Sequence, residues 1–104
     1  MLLLSTLAGA TLYPLYLTQK IDHFDISRGT FSQTFYYNNS FAKYDPYKTF
    51  IVVLGGMERF NTKWMDTDPV IELAKKTGAV ILGLETRFFG DSLPEDFSNE
   101  YYQY

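Results

Sequence analysis

Apolar and polar positions change rhythm along the chain, and each change marks an element. From Thr30 to Tyr37, Phe31, Gln33 and Phe35 alternate with Ser32, Thr34 and Tyr36, which predicts a strand with one buried face. Tyr47 to Leu54 ends in the unbroken apolar run from Phe50 to Leu54, rich in β-branched residues. That run predicts a strand at the centre of a sheet. Ala79 to Leu84 is apolar except for Gly83 and is bounded by turn residues. It is too short for a helix and predicts a second buried, parallel strand.

Between these strands, Asp68 suits an N-cap and Pro69 a first helical residue. Val70, Ile71, Leu73 and Ala74 form an apolar face, Lys75 and Lys76 complement the carboxyl end of the dipole, and Gly78 stops the helix. A strand, a helix and a strand in this order predict a right-handed parallel crossover. Turns fall at Asn38-Asn39-Ser40, which is also an Asn-x-Ser sequon, and at Asp45-Pro46. Asn38 would carry a glycan if the protein is exported. Glu95 to Tyr104 reads as an acidic, aromatic loop entering a further helix.

Residues 1–13 read as a secretory leader, with a short apolar run before Ala8-Gly9-Ala10, a small-x-small cleavage pattern. A buried first strand is the alternative, and the run is too short to span a membrane. Residues 14–104 then form one domain.

Candidate chemistry gathers where the two buried strands end. The second strand delivers Glu85 and Arg87 to the carboxyl edge of the sheet, where open α/β sheets keep their sites. The two charges either pair with each other or with neighbours and hold the loop, the reading favoured on pattern alone, or they face a ligand. The first strand runs into Gly55-Gly56-Met57-Glu58-Arg59. Glycines there either allow close approach of a ligand to the backbone or serve a turn that needs positive φ. The loop lacks the Gly-Lys-Ser/Thr of a phosphate loop. His23 is the single histidine and has no second ligand nearby, so a structural reading is preferred to a metal site.

Composition narrows this further. A net charge of −3 with no basic cluster argues against nucleic acid as a partner. The absence of cysteine excludes disulfides, thiolate zinc sites and a cysteine nucleophile. Nine Tyr and nine Phe serve a core and its rim, with an aromatic-lined pocket as the sharper alternative. No metal or cofactor is implied.

Glu85-Thr86-Arg87-Phe88-Phe89-Gly90-Asp91-Ser92-Leu93-Pro94 resembles the Glu-His-Arg-Tyr-Tyr-Gly-x-Ser-x-Pro signature of the lysosomal Pro-Xaa carboxypeptidase and dipeptidyl peptidase II family of serine peptidases. Glu72-Leu73-Ala74 is similar to the helix that precedes it there. Gln19-Lys20-Ile21-Asp22-His23-Phe24 is similar to the family's Gln-x-Leu-Asp-His-Phe, and Phe31-Ser32-Gln33 to its Phe-x-Gln-Arg-Tyr strand. Two departures stand out: Thr86 takes the place of His, and Thr34-Phe35 that of Arg-Tyr.

The resemblance implies the amino-terminal part of an α/β-hydrolase fold, a secreted, lysosomal or vacuolar protein, and a peptide substrate cleaved next to proline. A homodimer is a further partner to expect. It also implies an oxyanion-hole donor in the loop after the third strand, at the N–H of Gly56 or Met57. The acidic residue that reads a substrate amine falls at Met57 or Glu58, depending on a one-residue shift. No Gly-x-Ser-x-Gly occurs in the chain, so the resemblance places the catalytic Ser, Asp and His beyond Tyr104, and this chain alone is expected to be inactive. The rival expectation is a hydrolase-like segment that binds without catalysis, or a residual gene product.

Overall fold

The computed structural model describes residues 12–94. Most of the expected leader, and the helix expected after Glu95, lie outside the described residues. The chain builds an α/β unit from β1 (Leu15–Lys20), β2 (Thr30–Asn38), β3 (Phe50–Leu54), α1 (Asp68–Thr77) and β4 (Val80–Leu84), with 3-10 turns at Ile26–Arg28 and Thr62–Asp66. The four strands form one mixed sheet in the order β1-β2-β4-β3. β1 and β2 are antiparallel, as are β2 and β4, while β3 and β4 are parallel.

The crossover follows its sequence signals. Thr67 caps α1, with Asp68 in its first turn and Pro69 just behind, so Asp68 opens the helix instead of capping it. Gly78 ends it at φ 67°, a left-handed conformation that costs glycine no Cβ clash. Its N–H closes on the Ala74 carbonyl at 2.8 Å, and the chain passes straight into β4.

Two strands differ from expectation. β1 has no counterpart in the sequence reading, because it is exposed at nearly every position and shows no buried-face alternation. β3 begins at Phe50 instead of Tyr47 and lies at the edge of the described sheet, paired with β4 alone. β4 takes the interior position between β2 and β3.

α1 and the Thr62–Asp66 turn cover one face of the sheet. Phe60, Met65, Ala74 and Ile81 are buried there, with Ile51, Val53, Trp64, Val70 and Ile71 packed against them. Gly83 makes the close seat: a Cβ on it would lie 2.6 Å from both Met65 Sδ and Phe60 Cζ. The Phe60 ring also stacks on Tyr36 at 5.6 Å between centroids and meets Trp64 edge-on at 5.2 Å.

The opposite face is exposed along β3, while Phe31 and Gln33 on β2 are buried. Registered neighbours Leu54, Leu84, Phe35 and Leu15 form one apolar row across all four strands, and Val52, Leu82 and Tyr37 a second. Leu54 is 69% exposed and Val52 52%. Thr34, on the polar side of the expected alternation, is nonetheless buried, because the loop after β4 folds over it.

Candidate functional site

β3 and β4 are parallel, so the loops that follow them leave the same edge of the sheet. Gly55 continues the ladder, its N–H donating to the Leu84 carbonyl at 2.8 Å. A Cβ at Gly55 would stand 3.1 Å from that oxygen and 3.3 Å from both Phe60 Cδ1 and Thr86 N, so glycine here serves close packing. Gly56 differs, since a Cβ there meets nothing within 4 Å. Among the described residues, the glycines at positive φ are Gly29, Gly78 and Gly90. Neither Gly55 nor Gly56 therefore serves a positive-φ turn. Met57 is 85% exposed, Glu58 is exposed, and Arg59 pairs with Asp91 at 2.6 Å on the surface. That pair raises the Arg59 pKa, through its hydrogen bond and then the Asp91 charge.

Glu85 turns inward. It is 1% exposed, and both carboxyl oxygens accept hydrogen bonds. Oε2 receives the Phe60 N–H at 2.9 Å, while Oε1 receives the Asp91 N–H at 3.0 Å and the Ser92 hydroxyl at 2.7 Å. Ser92 Oγ in turn accepts the Thr34 N–H at 2.8 Å. The Glu85 backbone is held as firmly: its N–H donates to the Thr34 carbonyl at 3.1 Å, and its carbonyl accepts from Gln33 Nε2 at 2.8 Å. Gln33 Oε1 takes a further bond from Gln19 Nε2 on β1 at 3.0 Å. Gly90 makes this possible twice over, adopting φ 55° and leaving open the space where a Cβ would collide with the Glu85 carboxylate. Nearby Tyr36 has a pKa raised by burial first and by the Glu85 charge second.

Arg87 points the other way along the edge. Nη2 donates to the carbonyls of Lys20 at 2.6 Å and Ile21 at 2.5 Å, and Nη1 lies 3.1 Å from His23 Nε2. A guanidinium only donates, so Nε2 is the acceptor in this contact. The guanidinium carbon stands 5.1 Å from the Phe31 ring centroid and 4.9 Å from that of Phe88, a cation–π arrangement. Glu85 and Arg87 thus bind their neighbours and not each other, the second half of the favoured sequence reading. A cavity of about 390 Å³ beside Arg87 is lined also by Ile21, His23, Phe24 and Phe88. At the far end of β2, Asn38 Oδ1 accepts the Ser40 N–H at 2.9 Å, an Asx turn within the sequon.

Sequence reasoning placed Ser92 only within the signature and did not anticipate it as the buried link between Glu85 and β2. Hydrogen bonds closed between loops leave no periodic mark in a sequence. The residues that carried the family resemblance are nevertheless the ones that meet here. Gln19, Gln33, Glu85, Gly90 and Ser92 form one connected group, and His23 and Arg87 a second. Thr86, the departure from the signature, takes part through its carbonyl, which accepts the Phe89 N–H at 3.1 Å. Among the described residues no group of three or more His, Cys, Asp and Glu could hold a metal ion, and no helix is long and apolar enough to cross a membrane.

Comparison with known proteins points the same way. The family described as Serine carboxypeptidase S28 matches residues 19–103. Two Caenorhabditis elegans proteins, each named a putative serine protease, are similar over 80 residues, at 39% and 36% identity. Each alignment covers 74% of this chain, but 14% of the first relative and 15% of the second, so the chain spans a small part of their length. The matched span takes in both bonded groups and both loops at the sheet edge, and the chain belongs to the Serine carboxypeptidase S28 family.

Proposed function

We propose that this chain is the amino-terminal part of a serine exopeptidase of α/β-hydrolase fold that cleaves peptide bonds next to proline, in a secreted, lysosomal or vacuolar protein. The reaction is acyl transfer from the peptide to a serine and then to water. That serine, with its His and Asp, belongs to the chain that follows, since Gly-x-Ser-x-Gly is absent from these 104 residues. This part supplies the loop after β3, with a backbone donor for the oxyanion at Gly56 or Met57.

The observation that carries the reading is the contrast between the two glycines. The Gly55 N–H is committed to Leu84. Gly56 has neither a positive φ nor an internal neighbour to explain it, and the space beside it is open to a substrate carbonyl. Glu58, exposed on the same loop, is the candidate for reading a substrate amine.

The test uses the full-length protein containing this chain. It is treated with a fluorophosphonate that labels reactive serines, and separately with peptides ending in Pro-Xaa and with Xaa-Pro dipeptide amides. Labelling together with turnover of either peptide class supports the proposal. A folded protein that binds these peptides without labelling or turnover supports the non-catalytic rival.

A further inference from the structure

We infer that Glu85 is a positioning residue for the Gly55–Phe60 loop, holding the candidate oxyanion donor in place from below the sheet edge. The inference rests on the proposed role of that loop. Its ground is the division of labour between the two carboxyl oxygens. Oε1 is anchored by Asp91 N–H and Ser92 Oγ, and Ser92 is itself fixed to β2 through Thr34 N–H. Oε2 is what remains, and it takes the N–H of Phe60, the residue that closes the loop.

The Phe60 ring is locked into the core beneath Gly83, between Tyr36 and Trp64. The loop is therefore pinned at one end by the Gly55–Leu84 ladder bond and at the other by Glu85 and the Phe60 ring. Gly56, Met57, Glu58 and Arg59 span the gap. The Arg59–Asp91 pair repeats the link at the surface, but it is exposed on both sides and weak on that account. Glu85 is buried and holds its partner in a water-poor site, so it sets where the loop backbone sits.

Glutamine in this place offers one acceptor oxygen. If that oxygen serves Asp91 and Ser92, the amide NH₂ faces the Phe60 N–H and two donors oppose each other. In that orientation Glu85→Gln releases the loop selectively. A displacement of about 1 Å at a catalytic group lowers turnover by about a hundredfold.

The experiment compares Glu85→Gln, Gly56→Val and the double variant in the full-length peptidase, with Ala74→Gly as a control for lost stability away from the loop. Glu85→Asp keeps both oxygens but shortens their reach, and it replaces Glu85→Gln if the latter does not fold. The expected result is a fall in kcat of about ten- to a hundredfold for the Glu85 variant, with KM within about twofold. Because both residues act through one donor, the double variant is no worse than the poorer single variant. Ala74→Gly lowers the melting temperature and keeps kcat. A folded Glu85 variant with unchanged kcat, beside a damaging Gly56→Val, overturns the positioning inference alone. Losses that multiply in the double variant overturn it as well. Unchanged kcat in Gly56→Val fails the donor reading instead.

Discussion

Oε2 of Glu85 lies 2.9 Å from the backbone nitrogen of Phe60, although 25 residues separate them in the chain. The bond joins the end of β4 to the loop after β3, and it is one of three that the carboxyl group accepts. Glu85→Ala orphans two buried donors, the Phe60 N–H and the Ser92 hydroxyl, at a cost of about 1–3 kcal/mol each, and the part-buried Asp91 N–H besides. A loss of about 3 kcal/mol or more is expected from urea denaturation of the folded protein. A loss below about 1 kcal/mol would mean that water re-satisfies the donors.

Gly83→Ala is expected to destabilise by about 1–3 kcal/mol, as an overpacked core does. The added methyl enters the seat of Met65 Sδ and the Phe60 ring. Met65 is the more adaptable of the two, so Met65→Ala should cost less in the Gly83→Ala background than alone. Thermal melts of the four proteins measure this coupling. Additive losses would show that the backbone of β4 moves away instead.

Thr34→Val carries the opposite sign. Thr34 Oγ1 is buried with no hydrogen-bond partner, while the backbone of the same residue is fully used by Ser92 and Glu85. Replacing the hydroxyl by a methyl removes an unsatisfied group whose burial costs about 1–3 kcal/mol, at almost the same shape. Stability is expected to stay level or rise. A clear fall in the denaturation midpoint would reveal an ordered water bound to that oxygen.

Gly56→Val and Gly55→Val should part company in the full-length peptidase. At Gly56 the side chain enters open space, so the fold is kept, and kcat is expected to fall by about two orders of magnitude through interference at the oxyanion. At Gly55 the new side chain presses on Leu84 O, the Phe60 ring and Thr86 N. There the expected loss is of stability, about 1–3 kcal/mol. Equal melting temperatures with equal kcat for both variants would leave the loop without a catalytic part.

The crossover was legible because its signals are local: an apolar run, an acidic and proline-marked helix start, lysines at the far end, and Gly78. The position of β3 was not. An apolar run reports that side chains avoid water, and it does not distinguish burial of both faces from pairing at both edges. Among the described residues β3 has one face on the helix layer, one face open, and a single partner. β1 escaped because strand formation there rests on pairing with β2 and leaves almost every side chain exposed. At the site, the positions of Glu85 and Arg87 at a strand end could be read. Their partners could not, because Phe60 and Ser92 reach Glu85, and Lys20 reaches Arg87, only once separate elements have folded together.

The strand order has a consequence for synthesis. β1 and β2 are neighbours in sequence and can pair as soon as both have left the ribosome. β3 cannot, because its ladder partner is β4, and the whole of α1 must be made first. At about 5–20 residues per second the wait is on the order of seconds. Throughout it, Phe50 to Leu54 is a nascent apolar segment that still lacks its ladder partner.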